Sequence, residues 1–309
     1  MKNAMVSVPR ADTTYAKIGY ALVPAEREPT VQDLLRHTSG LAYGEITTNA
    51  PVREAYIKNR LFDPQSFFDS RGTTPAEQVE AFGKMPLVHQ PGRVWEYSMA
   101  VDALGRVVEV ASGTTLGKFL EARLFEPLKM NDSGFWVPAA KITRLAQPFD
   151  KDPISGAPIK LIDVSAAPKN DSGGAGGVST AADYLAFSQM MLNGGRLNGA
   201  RVLSRNTVTL MTSDHLGQKV LDAGTTPGEL LLGAPGYTFG LGFSVRRENG
   251  IAGVSGSAGE FMWAGYAGTY FWVDPKEELA VVLMTQAPGA QRVFYRKLLK
   301  ALVYQALND

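Results

Sequence analysis

The sequence predicts an α+β fold: a mainly helical domain, then antiparallel strands flanked by a C-terminal helix. Three observations carry that reading. Cap and stop signals mark helices through the first part of the chain, the hydrophobic period changes to two from about residue 237, and an amphipathic stretch closes the sequence. Helices precede strands here, which is not the alternation of a doubly wound α/β fold. The linear division expected is 1–29 as a remnant of the N-terminal part of the fold, 30–236 as the helical domain with long loops, and 237–309 as strands and final helix.

Residues 1–29 give the weakest pattern. Val6, Val8, Tyr20, Leu22 and Val23 are apolar pieces broken by Pro9, Gly19 and Pro24, with no evident partner inside the segment. The first clear element starts at Thr30, which can cap a helix with Asp33 three residues on, and it stops at Thr38-Ser39-Gly40. Thr74-Pro75-Ala76-Glu77 combines a capping threonine, a proline at the first helical position and a glutamate that reaches back. Ser98 is expected to open a helix with Val101, Leu104, Val107 and Val108 on its apolar face. Thr115 begins another, and Ser179 or Thr180 caps one that ends at Asn193-Gly194-Gly195.

Residues 144–177 are rich in Pro, Gly, Asp and Ser, and a loop of that length is usually functional or mobile. Beyond it, Phe239, Leu241, Phe243 and Val245 alternate as a strand does. Further strands are expected near 260–264, 268–274 and 279–285, and a helix over 290–307. Within this part, residues 255–275 carry Trp263 and Trp272 among Gly256, Gly259, Gly265 and Gly268. Glycine weakens a strand, so glycines in an aromatic strand pattern point to a bend or a close approach, here read as a site wall.

Composition excludes several classes. With 31 basic and 30 acidic residues the net charge is +1, which gives no footprint for nucleic acid. The absence of cysteine removes disulfides, thiol nucleophiles and thiolate metal sites. No run is long enough to span a membrane, and no apolar signal core opens the chain, so the chain as given reads as cytoplasmic. No cofactor and no metal are expected, because no close His/Asp/Glu spacing supports one. Of the three histidines, His37 at a helix end reads as structural, and His89 and His215 as solvated loop residues.

Tyr97 is the sharper candidate. It follows the Gln90-Pro91-Gly92 turn and precedes a helix start, where the positive end of the dipole favours a phenolate. A packing tyrosine is the plain alternative.

Four segments occur in order: Leu34-Leu35-Arg36-His37-Thr38-Ser39-Gly40-Leu41, Gln90-Pro91-Gly92 through Tyr97-Ser98, Gly173-Gly174-Ala175-Gly176-Gly177-Val178-Ser179-Thr180, and Trp263-Ala264-Gly265. Together they resemble the serine β-lactamase-like hydrolases, which include class C β-lactamases, D-alanyl-D-alanine peptidases and family VIII carboxylesterases. The resemblance covers the chain from Thr30 onward. It implies acyl transfer through a serine in S-x-x-K, with lysine and tyrosine handling its proton. It implies Tyr97 as the general base and the Tyr266 backbone N–H as an oxyanion donor. Trp263, Ala264 and Gly265 stand where the family has K-T-G, and Met99 where it has the asparagine of Y-x-N.

An apolar Trp263 in place of lysine suits an uncharged ester better than a β-lactam carboxylate, so small-molecule esters or amides are the expected substrates. Residues 1–309 contain no S-x-x-K; Thr14-Tyr15-Ala16-Lys17 and Thr115-Leu116-Gly117-Lys118 come nearest and are chance matches. The nucleophile helix and first strands are expected upstream, where a signal peptide for a periplasmic or secreted form could also lie. The chain alone is expected to be inactive. The competing expectations are a non-catalytic ligand-binding module on the same scaffold, or an enzyme using Ser255 or Ser257. The oligomeric state is not readable from the sequence.

Overall fold

The computed structural model describes residues 1–11, 18–64, 70–222 and 224–307. In chain order its strands are β1 (Met5–Ala11), β2 (Ile18–Pro24), β3 (Val94–Trp95), β4 (Arg196–Leu197), β5 (Ala200–Arg201), β6 (Leu221–Asp222), β7 (Tyr237–Phe239), β8 (Ser244–Arg246), β9 (Phe261–Ala264), β10 (Tyr270–Asp274) and β11 (Leu279–Leu283). Its helices are α1 (Val31–Leu35), α2 (Ala50–Lys58), α3 (Pro75–Lys84), α4 (Ala100–Ser112), α5 (Leu116–Leu120), α6 (Glu126–Leu128), α7 (Ala181–Leu192), α8 (Arg205–Met211), α9 (Pro227–Leu232) and α10 (Arg292–Gln305). Among the described residues no helix is long and apolar enough to cross a membrane. Thr14-Tyr15-Ala16-Lys17 lies outside the described residues.

The chain forms two compact units. The first gathers Met1–Leu116, Pro168–Gly176 and Gln218–Gly224; the second gathers Gly117–Ala167, Gly177–Gly217 and Thr225–Asp309. Helices α6 to α8, read from the sequence with the helical domain, thus cluster with the five-stranded sheet.

In the first unit, α1 to α4 surround a core of Val6, Leu41, Val52, Tyr56, Phe82, Leu87 and Met99. The capping boxes read at Thr30/Asp33 and Thr74/Glu77 are both formed. Residues 1–29 depart from expectation. Their apolar pieces do partner one another, because β1 and β2 form an antiparallel hairpin in which Val6 faces Val23. The hairpin is tied to the unit by Ser7 N to Leu87 O (2.8 Å) and Leu87 N to Met5 O (2.7 Å), and Val6 is fully buried. The tie to Leu87 is long-range, so a local pattern scan does not register what buries the hairpin.

Helix α4 also starts differently. Its N-cap is Met99, with no side-chain cap bond, and Ser98 lies before the helix with its hydroxyl turned to His37. Thr180, not Ser179, caps α7 through Asp183 N.

The second unit is built on an antiparallel sheet of order β11-β10-β9-β8-β7. The alternating run from Phe239 to Val245 is two strands rather than one: Gly240 and Gly242 turn the chain so that Phe239 pairs with Ser244. Gly242 has φ +91°, a backbone region open to glycine at little cost. On one face, Phe261, Phe271 and Val273 pack against Met190 and Met191 of α7. On the other, Met262, Tyr270 and Trp272 pack against α9 and α10. Helix α10 differs from a simple amphipathic reading: its buried positions include Arg296 and Lys300, while Phe294, Leu298 and Leu302 are exposed.

Candidate functional site

In the first unit, four backbone hydrogen bonds stitch residues 38–42 and His37 to the loop before α4. They run from Gly92 N to Thr38 O (2.7 Å), Val88 N to Gly40 O (2.8 Å), Glu96 N to His37 O (3.0 Å) and Met99 N to Ala42 O (3.3 Å). Gly40 has φ +83°, and a Cβ there would run into the His89 carbonyl, so the turn needs glycine. Gly92, at φ +83°, lets Arg27 lie against the Pro-Gly turn. Arg27 in turn holds Asp33 (2.5 Å), with Arg36 at 3.2 Å. Burial opposes the Asp33 charge, but Arg27, Thr30 and Thr38 hold its carboxyl well below the usual carboxylate range.

This stitching sets Tyr97. Its half-buried ring meets the His37 ring at 5.1 Å and 71°, and the Tyr43 ring at 4.9 Å and 53°. The Tyr43 hydroxyl is hydrogen-bonded to Tyr97. Burial, with Tyr97 and Asp102 nearby, pushes Tyr43 well above the ordinary phenol range, so Tyr43 stays protonated and can donate to the Tyr97 oxygen. Burial pushes His37 down to about 3, so its imidazole is neutral near pH 7. The structural reading of His37 stands, but an attraction to the helix dipole needs a charge it does not carry. Its Nδ1 lies 3.1 Å from Ser98 Oγ.

Below this pair, Asp102 accepts from Ser172 Oγ (2.5 Å) and Gly174 N (3.4 Å), while burial pushes its carboxyl up. A Cβ on Gly174 would collide with that carboxyl and sit 3.1 Å from the Tyr43 hydroxyl oxygen. Part of the glycine-rich motif is therefore a close-approach requirement against α4. Met99 is wholly enclosed in the core, which matches ordinary packing at that position. His89 is not simply solvated, since it pairs with Glu96 at 2.7 Å.

In the second unit, Trp263 lies half-buried on β9, with Phe239 edge-on at 5.5 Å and 78°. Ala264 ends β9, and Gly265 opens the turn to β10 through Gly265 N to Thr269 O (2.9 Å) and Gly268 N to Gly265 O (3.2 Å). Tyr266 sits on that turn, 53% exposed. Two arginines of α10 hold it from behind. Arg296 Nη2 donates to Gly265 O (2.7 Å) and Thr269 O (3.3 Å), and Arg292 Nη1 donates to Tyr266 O (2.8 Å) with its guanidinium 5.3 Å from the Tyr266 ring. Burial, helped by Arg292, lowers Arg296 to about 10. The expected oxyanion donor thus rides on a turn whose carbonyls are held by a buried arginine, Arg296, and a partly exposed one, Arg292.

Ser257 is buried, its hydroxyl donating to Glu277 (3.0 Å). Ser255 offers its carbonyl to Arg246 (3.1 Å). His215 Nε2 lies 2.8 Å from Leu210 O. Among the described residues no group of three or more His, Asp or Glu is placed to hold a metal.

Sequence reasoning missed Tyr43, Asp102 and the two α10 arginines. Tyr43 lies only two residues beyond Leu41 of the first motif, a signal that could have flagged it. The arginines carried none: Arg296 is a buried cation that breaks the amphipathic pattern which located the helix, and Arg292 is only partly buried.

A five-stranded antiparallel sheet covered by α7 on one face and α9 and α10 on the other, joined in sequence to a helical unit that carries Tyr97, is the β-lactamase/transpeptidase-like fold. The sequence model of the Beta-lactamase family matches residues 13–305, and the chain belongs to that family. It is 34% identical over 278 residues to protein Rv1367c of Mycobacterium tuberculosis (strain ATCC 25618 / H37Rv), covering 85% of this chain and 63% of that protein. It is 30% identical over 278 residues to the esterase EstB of Burkholderia gladioli, covering 83% and 64%. The chain thus spans less than two thirds of the length of these relatives. Among solved structures, EstCE1, described as a hydrolase with promiscuous acyltransferase activity, superposes with TM-score 0.73 at 22% identity, covering 92% of this chain and 73% of that one.

Proposed function

We propose that these residues form the base and oxyanion parts of an esterase-type acyl-transfer site, with small-molecule esters or amides as substrates. The observation that carries this is Tyr97, a half-buried phenol fixed between a neutral His37 and the protonated Tyr43. Family membership and the esterase name of EstB support the reaction class.

In this reading a serine hydroxyl adds to the substrate carbonyl, and Tyr97 takes its proton with Tyr43 steadying the Tyr97 oxygen. The Tyr266 N–H donates to the developing oxyanion, and collapse expels the alcohol or amine, which takes back the proton held by Tyr97, leaving an acyl-serine that water or another alcohol then cleaves. Trp263 supplies an apolar wall that favours an uncharged acyl or alkoxy group. Residues 1–309 contain no S-x-x-K, so by themselves they bind the ester and do not turn it over.

The test is a titration of isotope-labelled protein with an unactivated ester such as phenyl acetate. The amides of Tyr97 and Tyr266 should shift while the ester is recovered intact. No shift at either residue would refute the site.

The missing S-x-x-K also favours a second reading, a binding module on the same scaffold that never reacts. In that case addition of a serine-lysine helix segment restores no turnover, whereas the first reading predicts that it does.

A further inference from the structure

Two hydrogen-bonded phenols can hold one proton between them in two ways, and only one of these leaves Tyr97 as the base. Phenols share an ordinary value of about 10, so the surroundings of Tyr43 and Tyr97 decide which of them ionises. Tyr43 is buried and Tyr97 only half-buried, which favours charge on Tyr97.

A second asymmetry lies behind Tyr43. Asp102, in the first turn of α4, is buried, and its two oxygens are used differently. Oδ1 accepts from Ser172 Oγ (2.5 Å) and Gly174 N (3.4 Å), and Ser172 Oγ is itself fixed by Ala175 N (3.1 Å). Among the described residues Oδ2 has no hydrogen-bond partner. A Cβ on Gly174 would collide with Oδ2 and lie 3.1 Å from Tyr43 Oη, so these two oxygens face each other across the glycine. Burial opposes a charge on Asp102, but the short bond from Ser172 is that of a hydroxyl to a carboxylate, and the first turn of a helix favours negative charge. Glu45, on the Tyr43 loop, acts on Tyr43 with the same sign and less strongly. His37 is neutral, and Gln78 of α3 faces the carboxyl as an uncharged amide. Arg106, one turn further along α4, pairs with Glu109 (3.1 Å).

We propose that Asp102 is a positioning residue for the Tyr97 base: its carboxylate, facing Tyr43 Oη across Gly174, keeps the shared proton on Tyr43 and leaves the negative charge on Tyr97. This role rests on Tyr97 being the base. When the pair gives up one proton, the O–H bond that breaks is that of Tyr97, and the Tyr43 hydroxyl donates to the phenolate that forms. A charge on Tyr43 Oη would instead sit beside Asp102 Oδ2, where a like charge disfavours it. Asp102 itself neither gains nor loses a proton.

The test is fluorine NMR of the 1–309 protein grown with 3-fluorotyrosine and titrated with base. Tyr43→Phe and Tyr97→Phe assign the two signals. In the parent protein the position-97 signal should titrate first, while position 43 keeps its neutral shift. Asp102→Asn keeps the shape and removes the charge. It should lower the position-43 midpoint by at least about one pH unit and the position-97 midpoint by less. Ser172→Ala loosens the same loop but keeps the charge, and should not lower position 43. Asp102→Ser, equally uncharged, reads the same effect if the amide disturbs folding. Midpoints that move together or not at all without the Asp102 charge would overturn its role while leaving Tyr97 as the base. So would a Ser172→Ala protein that reproduces the drop. Position 43 titrating first in the parent protein would overturn both that role and the reading of Tyr97 as the base.

Discussion

Glu260→Gln is the substitution whose outcome the second unit fixes most tightly. Glu260 is fully buried and accepts from Lys300 Nζ (2.7 Å), Tyr237 Oη (2.6 Å) and Tyr304 Oη (3.2 Å), with Arg246 Nη1 at 3.6 Å. Asp274 accepts from Tyr304 Oη (2.6 Å). The amide keeps the volume and removes one negative charge, stranding Lys300, which is wholly buried. Breaking one side of a buried pair costs about 3–5 kcal/mol. Deprotonating Lys300 offers an escape that sets a ceiling: from an ordinary 10.5 to pH 7 this costs at most about 5 kcal/mol, at about 1.4 per unit. Burial lowers Lys300 despite Glu260, which brings the cost below that ceiling. For a unit of about 180 residues, the loss corresponds to a fall in Tm of roughly 6–20 °C. Urea unfolding followed by tryptophan fluorescence reads it, since Trp272 lies 4.6 Å from Lys300 Nζ and stacks on Tyr270. Adding Lys300→Met should restore part of the loss. A loss under about 1 kcal/mol, or no restoration, would refute the reasoning.

His37 gives an acid sensitivity. Its folded value of about 3 lies below the ordinary 6.5, so the unfolded chain binds the extra proton first. Stability is therefore full above pH 6.5 and falls by about 1.4 kcal/mol per pH unit between there and pH 3. His37→Asn, which tolerates the φ of +55°, should flatten that slope in chemical denaturation at stepped pH. Tyr56→Phe leaves the buried Ala42 N–H without its 3.1 Å acceptor and should cost about 1–3 kcal/mol by urea titration. Gly40→Ala forces a Cβ onto the His89 carbonyl at positive φ; near-ultraviolet dichroism from Trp95 should be lost while the Trp272 signal persists.

What was legible in the sequence was local. Capping boxes at Thr30 and Thr74, the glycine stop after α7 and the strands around Trp263 and Trp272 each follow from neighbours a few residues apart. The ordered motifs were legible as a resemblance, and Tyr97, Trp263 and Gly265 were singled out from it. What escaped was non-local. The β1–β2 hairpin depends on Val6 meeting Leu87, and the Ser98 hydroxyl is drawn from its expected cap by a histidine 61 positions away. Arg296 and Lys300 are buried because Gly265 O and Glu260, far away in sequence, accept from them. Tyr43 stands two residues beyond the first motif, but its hydrogen bond to Tyr97 is a long-range contact that the motif does not announce.

The central claim is that residues 1–309 hold the base and oxyanion parts of an acyl-transfer site without its nucleophile. Treatment with a fluorophosphonate that reacts with activated serines, followed by peptide mapping, tests it most directly. The account predicts no labelled serine and no turnover of an activated ester. Labelling at a mapped serine, with turnover lost in Tyr97→Phe, would contradict it.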